Sequence, residues 1–122
     1  MPHVVIRGSL NLATFVSDFE PILERGTGDR GGDVSRADRI FLEHGGANAL
    51  VECLVVESGR KQPFYIKVSV HDSKSTVRVD PICRVERSAG VKQLVAQLGA
   101  RALRATPGGE IDVTNLVLPS TF

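Results

Sequence analysis

Four polar side chains recur at alternate positions in the segment FYIKVSVH: Tyr65, Lys67, Ser69 and His71. A β-strand turns successive side chains to opposite faces, so this spacing puts all four on one side of a sheet. The neighbouring stretches ALVECLVVE and STVRVD add Glu52, Arg78 and Asp80 to that side, amid Leu54 and Val56. Such a mixed surface has the chemistry to hold a small polar molecule, with Lys67 or Arg78 meeting a carboxylate and Tyr65 or His71 moving a proton. Glu52, Tyr65, Lys67, His71 and Arg78 are therefore the candidate ligand-binding residues.

Alternation also proposes a register. Pairing Val55 with Ile66 and Cys53 with Val68 gathers the apolar residues on one face and sets Glu52 opposite Ser69. Pairing Val70 with Val77 and Val68 with Val79 continues that face and sets Lys67 against Asp80 and Ser69 against Arg78. In this register the charges of Glu52, Arg78, Lys67 and Asp80 neutralise one another across strands, each pair contributing ~0.2–1 kcal/mol. The same residues thus serve equally as sheet stabilisers.

Pro2 is a second candidate. With Met1 removed, its secondary amine at the head of a strand would act as a base once an apolar pocket and nearby cations lowered its pKa. Other chemistries lack an anchor. His3, His44 and His71 show no His-x-His or His-x-x-x-His spacing, and neither Cys53 nor Cys83 is near a histidine in sequence, so no metal is expected. No G-x-S-x-G nucleophile elbow occurs. Gly26, Gly28 and Gly31 satisfy G-x-G-x-x-G, but a phosphate cradle needs a strand before it and a helix after it. Here the order is reversed, and a flexible loop is expected. No cofactor is implied.

The elements that must position these residues are short and regular. HVVIRGSL is β-rich and forms a first strand. Asn11 caps a helix whose apolar positions Leu12, Phe15, Val16, Phe19, Ile22 and Leu23 share one face. Pro21 kinks or restarts it, with Ser17 and Glu20 at capping-box spacing for the second piece. DRIFLEH, ALVECLVVE, FYIKVSVH and STVRVD follow as a meander of strands. Ser88 caps a second helix with Val91, Leu94, Val95, Leu98 and Ala102 on one face and small residues, including Gly90 and Gly99, on much of the rest. IDVTNLVL is the last strand. The expected fold is α+β, a two-layer sandwich of a mostly antiparallel sheet with two helices on one face, in the order β-α-β-β-β-β-α-β, forming a single domain over residues 1–122.

Composition fits this picture. Hydrophobic residues make up 42% and charged residues 24%, ordinary globular usage. The 15 Lys and Arg against 14 Asp and Glu lack the basic excess of a phosphate-backbone binder, so nucleic acid is not an expected partner. No apolar run approaches a membrane span and no signal-like leader opens the chain, so a cytoplasmic location away from membranes is expected, with both cysteines reduced. In ALVECLVVE, Leu50, Leu54 and Val56 crowd the face that should meet water. That face is expected to be covered, by the rest of the chain or by another subunit in a homo-oligomer.

The start MPHVVI, followed by a helix, strands, a second helix and a final strand, resembles the tautomerase superfamily, and within it the carboxymethyl-hydroxymuconate isomerase branch. The resemblance implies Pro2 as the catalytic base, arginines as binders of substrate carboxylates, and a small homotrimer or homohexamer. Arg39, at the head of the strand after the first helix, is the matching arginine position. The hairpin through HDSKST is an addition to the family pattern. The leading expectation is a self-associating domain that binds a small polar ligand or a protein partner on its sheet face. The alternative is an enol- or keto-acid tautomerase.

Overall fold

The period-two stretch folds into a continuous antiparallel ladder. The computed structural model describes residues 1–119, so residues 120–122 of the expected domain lie outside it. Strand β1 (His3–Arg7) leads to helix α1 (Leu12–Ser17), strand β2 (Ile22–Arg25) and a single 3-10 turn, Gly28–Arg30. Strands β3 (Val34–Leu42), β4 (Asn48–Glu57), β5 (Arg60–His71) and β6 (Lys74–Val79) follow, then helix α2 (Ala89–Ala105) and strand β7 (Glu110–Thr114). The seven strands form one sheet in the order β2-β3-β4-β5-β6-β1-β7, each neighbouring pair antiparallel. The α+β class is therefore correct.

The expected element order is short by one strand. Ile22–Arg25 does not continue the first helix but pairs with β3, Ile22 opposite Ala37. Pro21 supplies the reason, since it has no N–H to donate and its ring would clash with the carbonyl four residues earlier. Helix α1 stops at Ser17, with the Asp18 N–H donating to the Thr14 carbonyl at 2.9 Å. The strand then splits the two apolar residues: Ile22 is 4% exposed and Leu23 is 55% exposed.

The registers also differ from expectation, and two tight turns explain why. Ser58 and Gly59 both have positive φ, 52° and 77°, which closes the β4–β5 hairpin over two residues. Val51 consequently pairs with Ile66 and Cys53 with Phe64. Asp72 and Ser73, at φ 47° and 60°, close the β5–β6 hairpin the same way and pair Val68 with Val77 and Ile66 with Val79. Both offsets from the expected pairing are even. No side chain changes face, so the apolar face is as expected while every cross-strand partner is new.

That apolar face is the core. Val4, Ile6, Val51, Val55, Ile66, Val68 and Val77 are fully buried, in one cluster with Val91, Leu94, Val95 and Leu98 of α2 and Leu12 and Phe15 of α1. Helix α2 meets the sheet through its small residues. A Cβ built on Gly99 would come within 2.6 Å of Val4 Cγ2, and one on Gly90 within 2.6 Å of Ser35 Oγ. At the start of α2, Ser88 Oγ accepts the Val91 N–H at 3.4 Å and the Glu57 carboxylate accepts the Gly90 N–H at 3.1 Å.

Candidate functional site

The other face of the sheet carries the predicted polar residues. Its side chains can be followed strand by strand through the pairing. A β-bulge between Ala37 and Arg39 shifts β3 by one residue and brings Arg39 opposite Glu52, which itself lies opposite Tyr65. Arg39 Nη2 donates to both Glu52 carboxylate oxygens at 3.0 Å, and the guanidinium lies 5.7 Å from the centre of the Phe41 ring. Glu52 is thus held by Arg39, and not by Lys67 or Arg78 as the expected register had it.

The next row across the sheet is Phe41, Leu50, Lys67, Arg78 and His3, each opposite the next. Two cations therefore face each other where a cation and the Asp80 carboxylate were expected. The two-residue turn at Asp72–Ser73 is the cause, since it moves β6 by two residues relative to β5. Neither the Lys67 nor the Arg78 side chain has a hydrogen bond or ion pair among the described residues. Like charges directly opposite across strands destabilise a sheet by about as much as opposite charges stabilise it. Elsewhere on this face Arg36 pairs with Asp38 along β3 at 3.2 Å, Lys74 with Asp112 at 2.9 Å, and Arg39 with Glu52, while Lys61 and Arg25 are exposed single cations with no directly opposed cation.

A cavity of about 300 Å³ opens beside Lys67, walled by Phe41, Leu42 and Leu50, with Glu43, Asn48 and Asp80 at its polar side. Phe41 is 48% exposed and Leu42 41%. A second hollow of about 460 Å³ lies on the neighbouring row, lined by Arg36, Glu52, Leu54, Pro63, Tyr65 and Cys83 among others. Cys83 Sγ accepts the Tyr65 N–H at 3.4 Å there, where β6 no longer pairs with β5. Phe41 is the residue that sequence reasoning missed. Its signal is the run Ile40-Phe41-Leu42, three apolar residues where a half-buried strand needs only alternate ones.

The remaining candidates lie apart from this row. His71 is at the tip of the β5–β6 hairpin, its Nε2 3.0 Å from the Asp72 carboxylate and its side chain 88% exposed. Pro2 is buried at the head of β1. The Met1 carbonyl accepts from Asn115 Nδ2 at 3.0 Å, and His3 Nδ1 lies 2.8 Å from it. Arg39 on β3 is four strand positions from β1, roughly 19 Å along the sheet, so Pro2 and Arg39 do not meet.

Two other polar regions are internally bonded. The glycine-rich connector joins two antiparallel strands, and its Arg30 faces Asp33 at 3.6 Å and Glu57 at 3.8 Å. A cavity of about 820 Å³ runs between α2 and residues 115–119, where Gln97 donates to Glu24 at 3.1 Å and Arg101 to the Glu20 carbonyl. Among the described residues no three His, Cys, Asp or Glu side chains are grouped to hold a metal, and no helix is long and apolar enough to cross a membrane. Cys53 and Cys83 are free thiols. No protein-family model, curated protein or solved structure matches this chain.

Proposed function

We propose that this chain is a cytoplasmic binding domain, a two-layer sandwich whose helices cover one sheet face and whose other face takes a small polar ligand and a second copy of the chain. One observation carries the reading: Lys67 directly opposes Arg78 across β5 and β6, and neither side chain has an anionic partner. An uncompensated pair of this kind lowers stability in the free protein and is relieved when an anion arrives between the two cations. The proposed contact with a second copy uses Leu54 and Val56, half-buried residues that neighbour Pro63 and Lys61 on β5. No observation at Pro2 favours the proline-base reading.

Native mass spectrometry of the purified protein tests both parts. A subunit multiple, with additional mass lost on gentle activation, is the expected result. Leu54→Glu should reduce the subunit count and remove the dependence of the unfolding midpoint on protein concentration. A wild-type protein that is monomeric and free of ligand, with light scattering unchanged in Leu54→Glu, would end this reading.

A further inference from the structure

Resting on the reading of this face as a ligand surface, we infer that its ligand is a monocarboxylate with an apolar body. The row Phe41, Leu50, Lys67, Arg78 is apolar at one end and cationic at the other, and it spans three strand spacings, roughly 14 Å. A molecule lying along it sets its apolar part against Phe41 and Leu50 and its anionic end between Lys67 and Arg78. A carboxylate suits that end. Its two oxygens accept simultaneously from the Lys67 ammonium and the planar Arg78 guanidinium, whose side chains spring from directly opposed positions.

The cavity beside Lys67 restricts the rest of the molecule. Phe41, Leu42 and Leu50 provide aromatic and aliphatic walls, and its volume of about 300 Å³ admits a ring or a short chain. Glu43 and Asp80 stand at the same cavity, and Asp80 is fixed by accepting the Ile82 N–H at 3.2 Å. A second carboxylate or a phosphate there would face these two acids, so dianions are rejected. The expected ligands are aromatic or medium-chain aliphatic acids carrying a single negative charge.

The full chain, labelled with nitrogen-15, is titrated with octanoate, phenylacetate, succinate, inorganic phosphate and octanol while amide shifts are followed. Octanoate and phenylacetate should move the amides of Leu50, Lys67 and Arg78, and the Lys67→Gln/Arg78→Gln double variant should lose about tenfold or more in affinity with an otherwise unchanged spectrum. Octanol should bind far more weakly than octanoate. Shifts at the same amides that are as large with phosphate or succinate would overturn the monocarboxylate assignment yet leave the face a ligand surface. If none of the anions moved these amides, both the assignment and the reading beneath it would fall.

Discussion

Gly99 of α2 backs directly onto Val4 of β1: a Cβ at position 99 would lie 2.6 Å from Val4 Cγ2 and 3.0 Å from Val4 Cβ. Val4 is fully buried, so it has no open side to retreat to. Gly99→Ala gains roughly 1 kcal/mol of helix propensity but overpacks the core at a cost of about 1–3 kcal/mol. A net loss of up to about 2 kcal/mol is expected in urea unfolding, and Val4→Ala should cost less in the Gly99→Ala background than alone. Unchanged stability in the single variant would mean that α2 can lift away from β1.

The hairpin tips predict a gain. Ser73 is held at φ 60°, a conformation that disfavours every residue with a Cβ, and its carbonyl accepts the Gly8 N–H at 2.8 Å. Ser73→Gly keeps that hydrogen bond and creates the Asp-Gly pair favoured in two-residue hairpins. Stabilisation of about 0.5–1 kcal/mol is expected by thermal or urea unfolding. A loss would show that the serine side chain contributes more than its strain removes.

Cys53 should be inert and should make the protein sensitive to alkali. Burial pushes its thiol from 9.0 up to about 12, while the unfolded chain ionises at the ordinary value. The thiol's contribution to stability is therefore intact below about pH 9 and is lost progressively as pH rises toward 12. Unfolding midpoints should fall across that range, less steeply in Cys53→Ala. A thiol reagent at pH 8 should label Cys83 alone until denaturant is added, and rapid labelling of Cys53 in the native protein would refute its burial.

Asp112 occupies a bulge in β7, where the register slips between Val5 and Ile6, and there its carboxylate accepts from Lys74 at 2.9 Å with Arg7 at 3.7 Å. The hydrogen bond from Lys74 holds its carboxyl below the ordinary value, so its contribution to stability is present above that value and disappears as pH falls through the lowered one. Lys74→Met should raise the Asp112 titration seen by carboxyl carbon-13 NMR. A titration that stays in place would assign the shift to something other than Lys74.

Much of the fold was legible in the sequence because its signals are local. The Asn11 and Ser88 caps, the apolar stripe of α2 and the alternating faces of β4, β5 and β6 follow from backbone periodicity and neighbouring side chains. Strand β2 was not legible, because Ile22 and Leu23 complete a helical stripe as well as they begin a strand, and only pairing with β3 decides between the two.

For the site, the sequence alone determined which side chains share the polar face: Glu52, Tyr65, Lys67 and Arg78 alternate with core residues in any even register. Tertiary structure decided who faces whom. Alternation has a period of two, so a shift of two or four residues leaves every face intact and cannot be detected from the pattern. The positive-φ turns at Ser58–Gly59 and Asp72–Ser73 and the bulge near Asp38 made that choice, placing Arg39 on Glu52 and leaving Lys67 against Arg78.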